Sequence, residues 1–376
     1  MRILQLGKFF PIKGGVEKVE YDLMTGLSKH GINCDMLCAM TNGKGECINI
    51  NEYANLICCK SWKQIAGTTI APSIITKLRD ICNNYDIIHV HHPDPMACLA
   101  LFLSGFKGKV ILHWHSDIIK QKKLLKAYLP LQKWLIKRAD LILGTTPVYV
   151  KESPHLRSHQ NKCAWLPIGI DQIQIDDEGA EKVRNMYPGK KIIFSVGRLV
   201  PYKGFNHLIE AAALLPDDYI VLIGGQGPLK EFLHKRIESK GINDKVKLLG
   251  FLTDEELYNH YGACSAFCLP SVMKTEAFGI VQIEAMSCGK PVIATNIPQS
   301  GVSWVNAHGV SGVNVTPGEA TELADAIMHL LGEERTYTKY AQGALERFQQ
   351  MFTFERMIDK CIKYYETLME TEKTTN

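Results

Sequence analysis

Short apolar runs alternate along the chain with longer segments whose apolar residues recur at helical spacing. Such runs, bounded by turn residues, are typical of buried strands, and the longer segments are typical of helices that cover a sheet. The alternation predicts an α/β protein with parallel sheets. In the first half we expect strands at residues 2–7, 33–40, 86–90, 109–114 and 141–144, and helices at 16–30, 96–103 and 131–138.

The alternation restarts after residue 179, which predicts a second doubly wound domain. We expect strands at 191–196, 219–223, 245–249, 266–269 and 291–294, and helices at 205–214, 229–240, 279–288 and 355–369. Pro167 and Gly169 punctuate the join. The predicted domains are 1–168 and 169–352, followed by a helical segment, 353–376, that packs back on the first domain.

Composition and charge narrow the class of protein. The 376 residues are 46% hydrophobic and 22% charged, as in ordinary globular proteins. No apolar run reaches the ~18 residues of a membrane-spanning helix, and the first residues form too short an apolar stretch for a signal peptide. The twelve scattered cysteines include no Cys-x-x-Cys, which favours free thiols.

Residues 1–170 carry a net charge of +10 and the remainder −6, so we expect the first half to meet an anionic surface or ligand.

Two glycine-containing loops are candidates for phosphate contacts. Gly14 and Gly15 open the first helix, where backbone N–H groups can approach an anion; a tight turn explains them equally well. Gly197, Arg198 and Lys203 follow the first strand of the second domain, and an Arg fork with a Lys point charge suits a diphosphate. Taken alone, these basic residues are more often solvated loop side chains.

Two glutamates stand eight positions apart across a loop-to-helix junction. Eight helical residues span about 12 Å, whereas glycosidase carboxylates lie roughly 5–9.5 Å apart. Glu276 and Glu284 therefore fit two hydroxyl-rich groups separated by a diphosphate, although surface glutamates are the commoner explanation for each alone. Backbone N–H groups of Phe278, Gly279 and Ile280 would lie at the helix start.

Over about residues 1–370 the chain resembles the retaining glycosyltransferases of family 4. The resemblance lies in the order of three features: the glycine pair, the Gly197–Arg198 and Lys203–Gly204 steps, and the spaced glutamates. That resemblance implies the GT-B fold: two facing Rossmann-like domains, the first binding the acceptor and the second the nucleotide sugar. It implies that Arg198 and Lys203 neutralise the leaving diphosphate, that Glu276 orients the sugar and Glu284 the ribose, and that Phe251 touches the base.

A closer resemblance runs through residues 113–119 and 300–302, which are similar to bacterial transferases that build O-antigen and capsule chains. Many of those are similar to mannosyltransferases that use GDP-mannose. The resemblance places His115 at the reaction centre, with His113 as the structural alternative on the same strand face. His91, His92 and Asp94 form either an acceptor wall or a polar loop cluster, and the sequence favours neither.

The implied activity is retaining hexosyl transfer to a hydroxyl of a growing, lipid-linked surface glycan. The chain contains no Asp-x-Asp, so we expect no metal and no cofactor, with the basic pair compensating the diphosphate charge. We expect no nucleic-acid partner. Three alternatives remain open: the same reaction with a UDP-sugar, a sugar-nucleotide epimerase of the same architecture, and a binding protein without chemistry.

Residues 118–138 form a basic amphipathic segment without an acidic residue. Such a segment is typical of an interfacial helix on anionic lipid, and we expect Pro130 to divide it into two short helical pieces. The expected location is cytoplasmic, peripheral on the inner face of the cytoplasmic membrane. The alternative is a helix pair with an apolar side in the core and a solvated lysine side.

Overall fold

The chain folds into two compact units. A computed structural model describes residues 1–12, 14–41, 44–65, 68–118 and 122–373. The first unit comprises Met1–Ile168 and the segment from Phe354 onward, and the second is Gly169–Thr353. Both units are α/β, which confirms the predicted fold class.

An eight-stranded sheet organises the first unit, in the order β10-β9-β8-β7-β1-β2-β4-β3. Neighbouring strands are parallel except β3, which is antiparallel to β4. Strands β5 and β6 pair separately. The described strands are β1 (Arg2–Phe10), β2 (Asn33–Met40), β3 (Glu46–Asn51), β4 (Ala54–Lys60), β5 (Lys63–Ile65), β6 (Thr68–Ile70), β7 (Ile87–His92), β8 (Lys109–Trp114), β9 (Leu141–Gly144) and β10 (Cys163–Trp165).

The direction of the chain reverses between β1 and β7, because β2 and β4 extend the sheet on one side of β1 and β7 to β10 on the other. Ligands of open α/β sheets bind at the carboxyl ends of strands at such a switch point. The described helices of this unit are α1 (Gly15–Lys29), α2 (Ser73–Ile81), α3 (Pro95–Ser104), α4 (Lys122–Arg138), α5 (Pro147–Glu152) and the C-terminal helix (Phe354–Lys373).

Helix α4 corrects one expectation, since it runs through Pro130 as one helix. Pro130 is exposed, so the carbonyl that loses its N–H partner lies on the side that faces water. Tyr128 and Gln132 are buried on either side of it and hold both turns against the unit. Residues 119–121, part of the predicted basic segment, lie outside the described residues.

A six-stranded parallel sheet organises the second unit, in the order β13-β12-β11-β14-β15-β16. Here the chain reverses between β11 and β14. The strands are β11 (Lys191–Val196), β12 (Tyr219–Gly224), β13 (Val246–Gly250), β14 (Ala266–Leu269), β15 (Val292–Thr295) and β16 (Gly312–Val315). The helices are α6 (Asp177–Asn185), α7 (Phe205–Ala212), α8 (Lys230–Lys240), α9 (Asp254–Ala263), α10 (Ile280–Ser287), α11 (Val302–Val305), α12 (Ala320–Gly332) and α13 (Glu334–Met351).

All twelve cysteines, which lie within the described residues, are free thiols. Most are buried on strands or helices, as Cys34, Cys268 and Cys361 illustrate. Burial raises the pKa of the Cys34, Cys268 and Cys361 thiols, so they remain protonated and act as small apolar side chains. The prediction of free thiols is confirmed.

Candidate active site

The loops that follow β11 and β14 meet at the switch point of the second unit. The first loop contains Arg198 and a 3₁₀ turn, Pro201–Lys203, which ends at Gly204 with φ 68°. A Cβ at Gly204 would clash with the carbonyl oxygen of Pro270 in the second loop. Glycine is therefore needed both for the left-handed backbone and for the close approach of the two loops.

Lys203 and Glu276 form an ion pair between these two loops. Lys203 Nζ lies 2.6 Å from Glu276 Oε2, and the two side chains are 11% and 12% exposed. Ser271 Oγ donates a hydrogen bond of 3.0 Å to the same oxygen. The structure thus brings together one basic and one acidic residue that the sequence assigns to different parts of a ligand, and it shows them neutralising each other.

A glycine turn at residues 224–227 supports the loop that carries Arg198. Gly197 N donates to Gly224 O at 3.1 Å, and Leu199 N donates to Gln226 O at 2.9 Å. A Cβ at Gly225 would clash with Gly197 O, so this turn also needs glycine. Arg198 itself is exposed. The turn holds the backbone on both sides of Arg198 while its guanidinium faces solvent.

Helix α10 carries the second glutamate of the spaced pair. Glu284 Oε2 accepts a hydrogen bond of 2.7 Å from the hydroxyl of Tyr261, a residue with no exposed surface. Burial raises the pKa of the Glu284 carboxyl, and the Tyr261 bond opposes that shift. Tyr261 lies in α9 and did not emerge from the sequence patterns. A tyrosine in a helix gives no local sign that its hydroxyl orients a carboxylate on another element.

The start of α10 offers its backbone to a ligand. Gly279 is the N-cap with φ 76°, and the Phe278 side chain is buried edge-to-face against Phe352. The Phe278 ring therefore belongs to the core, and the N–H groups of Phe278, Gly279 and Ile280 remain the possible anion contacts. Gly301 N donates to Ala277 O at 2.9 Å and steadies this loop.

Phe251 follows β13 and is 69% exposed. An exposed aromatic ring at the carboxyl end of a parallel strand is available to stack on a planar base. Its contact with a nucleotide base stays a prediction.

The carboxyl ends of β7 and β8 in the first unit carry a stack of four imidazoles. His91 is opposite His113 in the strand register. Ring centroids are 4.7 Å apart between His89 and His91, 5.2 Å between His91 and His115, and 4.1 Å between His113 and His115. Burial lowers the pKa of all four rings, so they are neutral at neutral pH.

A hydrogen-bonded chain runs through this stack to His115. His115 Nε2 lies 2.9 Å from His91 Nδ1, and His91 Nε2 lies 2.8 Å from Gln5 Oε1. Gln5 Nε2 donates a hydrogen bond of 3.1 Å to the Tyr365 hydroxyl. The same hydroxyl lies 2.7 Å from His89 Nδ1. Sequence reasoning missed Gln5, although a polar residue inside the apolar first strand was a usable signal. Tyr365 could not be placed because it comes from the C-terminal helix.

His113, the alternative to His115, differs in its environment. Both of its ring nitrogens are buried without a hydrogen-bond partner among the described residues. His115 has one nitrogen bonded to His91 and is 4% exposed, against 1% for His113. The geometry favours His115 for a ligand contact, and that role stays a prediction.

The three residues predicted as a possible acceptor wall are all buried. His91 belongs to the imidazole stack, and His92 stacks on Trp114 with ring centroids 3.7 Å apart. Asp94 is the N-cap of α3, and its Oδ1 accepts bonds from Met96 N and Ala97 N. Burial raises the pKa of Asp94 to about 6. Each thus has a structural role here, and acceptor contact stays a prediction.

Gly14 is the N-cap of α1. A Cβ there would lie 2.6 Å from Glu17 Oε2, and Glu17 Oε1 lies 3.6 Å from Lys8 Nζ. A phosphate at Gly14 and Gly15 would meet a helix end already neutralised by Glu17, with Lys8 as the compensating cation.

Nitrogen atoms of His89, His91 and His113 lie within 4.8 Å of one another, close enough to suggest a metal site. The His89 and His91 planes are only 9° apart, however. A metal ion must lie in the plane of each imidazole that binds it, and two stacked rings share no such point nearby. His91 also has both nitrogens hydrogen-bonded. The stack therefore fits a hydrogen-bonding role better than metal binding.

Comparison with known proteins agrees with this geometry. The family model described as Glycosyl transferases group 1 matches residues 176–347, and that described as Glycosyltransferase Family 4 matches residues 13–172. The chain is 31% identical over 378 residues to O-antigen chain mannosyltransferase C of Escherichia coli, covering 99% of this chain and 100% of that protein. It is 28% identical to D-rhamnosyltransferase WbpZ of Pseudomonas aeruginosa, covering 94% and 92%.

Solved structures show the same fold. Sucrose-phosphate synthase from Thermosynechococcus elongatus aligns with a TM-score of 0.77 at 21% identity, covering 99% of this chain and 100% of that one. HepE of Anabaena in complex with UDP aligns with a TM-score of 0.78 at 20% identity, covering 98% and 100%. Fold and family matches together define a glycosyltransferase with the GT-B fold. More narrowly, the chain belongs to glycosyltransferase family 4, as its motifs predicted.

Proposed function

We propose that this protein is a retaining hexosyltransferase that moves mannose from GDP-mannose to a hydroxyl of a growing, lipid-linked O-antigen glycan. The choice of mannose and of O-antigen rests on its 31% identity to the E. coli O-antigen chain mannosyltransferase C over the whole chain. The second unit binds the donor and the first binds the acceptor.

The Lys203–Glu276 pair is the observation that carries the proposal. Removing one partner of a nearly buried ion pair leaves an uncompensated charge, which is strongly unfavourable. A ligand that opens this pair must therefore supply an anion for Lys203 and hydroxyl donors for Glu276 within a short distance of each other. A hexose linked to a diphosphate carries the phosphate and a hydroxyl on adjacent ring carbons.

Charge compensation follows from the same loops. Arg198 is exposed at the end of β11 and Lys203 lies in the turn that follows. Together with the backbone N–H groups at the start of α10, they stabilise the negative charge that develops on the leaving diphosphate. On this proposal the reaction needs no metal ion, and we expect activity to survive excess EDTA. Loss of activity that Mg²⁺ or Mn²⁺ restores would overturn this part of the proposal.

The proposed chemistry is a same-face displacement. The bond between the anomeric carbon and the diphosphate oxygen breaks, and the acceptor oxygen bonds to that carbon from the same side. The proton of the acceptor hydroxyl moves to the departing diphosphate oxygen. Glu276 orients the sugar, Glu284 holds the ribose, and His115 contacts the sugar from the first unit as a neutral imidazole.

We further propose that the first unit rests on anionic lipid through α3 and α4. Lys126, Lys133 and Lys137 are exposed along α4, and Phe102 and Leu103 of α3 are 48% and 42% exposed. Exposed lysines beside exposed apolar side chains suit the interface of a bilayer. Every helix in the described ranges is too short or too polar to span a bilayer. The proposed location is the inner face of the cytoplasmic membrane.

A thermal-shift panel tests the donor. Ligand at a hundredfold excess over its Kd stabilises the folded state by about 2.7 kcal/mol. We expect GDP and GDP-mannose to raise the Tm, with UDP, ADP and CDP giving smaller shifts at the same concentration. A larger shift with UDP would replace the donor nucleotide and leave the reaction class intact.

A further inference from the structure

The hydrogen bonds behind His115 have a direction that the surrounding groups determine. This series of hydrogen bonds begins at Gln5, whose side-chain amide has no exposed surface. Gln5 Nε2 faces two acceptors, the Tyr365 hydroxyl at 3.1 Å and the Cys34 thiol at 3.6 Å. Among the described residues, Gln5 Oε1 faces one group, His91 Nε2.

An amide nitrogen has two hydrogens to place, whereas the carbonyl oxygen only accepts. In the turned orientation the Gln5 oxygen could accept from the Tyr365 hydroxyl and the Cys34 thiol, but among the described residues the two amide hydrogens would face only His91 Nε2, so one hydrogen would have no partner. The observed orientation satisfies both hydrogens, as a buried amide requires. His91 Nε2 consequently carries a hydrogen and donates a hydrogen bond to Gln5 Oε1.

The tautomer of His115 follows from that of His91. His91 is a neutral ring because burial lowers its pKa, so a proton on Nε2 leaves a lone pair on Nδ1. His115 Nε2, 2.9 Å away, must then be the donor. His115 is also neutral, which leaves the lone pair of its Nδ1 for a ligand.

We propose that Gln5 and His91 are positioning residues that hold His115 as the Nε2–H tautomer, so that its Nδ1 accepts a hydrogen bond from a hydroxyl of the transferred sugar. This inference rests on the proposed role of His115 in the transferase reaction. The opposite tautomer would present an N–H group and could not accept that bond. The tautomer is as important to an imidazole's function as its position.

The tautomer can be measured without a substrate. Nitrogen-15 NMR of histidine-labelled protein distinguishes a protonated ring nitrogen from an unprotonated one. We expect His115 and His91 in the ligand-free protein to be Nε2–H, with His115→Gln and His91→Gln spectra supplying the assignments. A His115 ring protonated at Nδ1 would overturn the proposal, even if the enzyme transfers sugar as described.

Two substitutions at Gln5 separate positioning from packing. Gln5→Leu removes the acceptor, so His91 and His115 can adopt either tautomer, and we expect kcat to fall by at least about tenfold with little change in KM. Gln5→Glu keeps an acceptor that faces His91 Nε2. We expect it to retain kcat within about threefold of wild type, because the direction of the chain is preserved.

A purely structural role for Gln5 would reverse the expected order of activity of the two variants. Gln5→Glu buries a carboxyl group and should lower the Tm at least as much as Gln5→Leu does. If Gln5 only filled space, Gln5→Leu would therefore be the more active variant, and that result would overturn the proposal. If wild type transfers no sugar at all, the proposed function fails while the NMR result still decides the tautomer.

Discussion

The charged pair of the second unit and the histidine stack of the first lie at the same kind of place, the carboxyl ends of strands at a switch point, but they keep polar groups buried in different ways. Lys203 and Glu276 form an ion pair in which Nζ lies 2.6 Å from Oε2. The four histidines are neutral because burial lowers their pKa. A charged pair can exchange partners with an ionic ligand, whereas a neutral stack can exchange only hydrogen bonds. The second unit is thus suited to a diphosphate and the first to hydroxyl groups.

The largest expected effect that separates the two regions is their response to acid. Each of the four stacked histidines stays neutral in the folded state, whereas in the unfolded chain each takes up a proton near the ordinary pKa of about 6.5. Below that pH the unfolded state binds more protons, so stability falls as pH falls, by up to about 1.4 kcal/mol per histidine per pH unit. After correction for the intrinsic exchange rate, which slows in acid, we expect the protection of amides in β7 and β8 to fall between about pH 7.5 and about pH 5.5.

His92 provides a matched variant for this test. It is buried with its pKa lowered to about 3, and it stacks on Trp114. His92→Phe keeps an aromatic ring against Trp114. It should reduce the pH dependence of the unfolding free energy by the amount that one buried histidine contributes. Phe232→Leu, at a non-titrating side chain that is 50% exposed, should leave it unchanged. Equal stability of wild type at both pH values would show that the stack is not neutral.

The next largest effect concerns the charged pair. Glu276→Gln removes the carboxylate that we propose orients the sugar, and misplacement of a reacting group costs about 10²-fold in rate. We expect turnover to fall by at least that factor while the circular dichroism spectrum is unchanged. Glu231→Gln on the surface of α8 is the control and should turn over like wild type. Near-normal turnover of Glu276→Gln would remove Glu276 from the reaction centre.

Much of this fold was predictable because buried parallel strands are apolar along their whole length. The predicted strands at 33–40, 109–114, 141–144, 191–196 and 266–269 match β2, β8, β9, β11 and β14. The β3–β4 hairpin was missed because polar residues such as Glu46 and Asn49 interrupt its apolar pattern. The helix break predicted at Pro130 was wrong, because the effect of a proline depends on which side of α4 faces water, and that depends on packing.

The candidate site was predictable only in part. The resemblance to family 4 grouped Arg198, Lys203, Glu276 and Glu284, because their motifs occur in the family's order in one domain. It could not show that Lys203 and Glu276 pair with each other, because that contact joins two loops about 70 residues apart in the chain. Tyr261 and Tyr365 were missed for the same reason: their partners are distant in sequence and near in space. Gln5 had a local signal, as a polar residue in an apolar strand, but its partners could not be read from the sequence.

A third prediction addresses the exposed lysines of α4. Each basic residue near an anionic surface contributes about 1 kcal/mol, so losing three should weaken vesicle binding by roughly a hundredfold. The variant Lys126→Glu, Lys133→Glu, Lys137→Glu should no longer sediment with anionic vesicles at low salt, while it still binds GDP. Lys120, Lys122 and Lys123 are left unchanged. A matched reversal at Lys230, Lys235 and Lys240 of α8 is the control. Equal sedimentation of wild type and the α4 variant would contradict the proposed surface.

A smaller effect is expected at the ribose contact. Tyr261→Phe removes the hydroxyl that donates to Glu284, and hydrogen bonds to charged groups contribute about 1.5–3 kcal/mol. We expect the affinity for GDP to fall by at least about tenfold, which corresponds to the lower end of that range, and kcat to change little; Glu284→Gln should act in the same direction. The affinity for 2′,3′-dideoxy-GDP should be unaffected by Tyr261→Phe. An equal loss for both nucleotides would show that Tyr261 acts on the fold and not through the ribose.

The most direct test of the central claim follows both products of one reaction. GDP-mannose is incubated with the enzyme and a lipid-linked glycan acceptor, GDP release is measured with and without acceptor, and the anomeric configuration of the new linkage is read by NMR. We predict acceptor-dependent GDP release and an α-linked mannose, the configuration of the donor. A β-linked product would contradict the retaining mechanism, and equal GDP release without acceptor would contradict glycosyl transfer to that glycan.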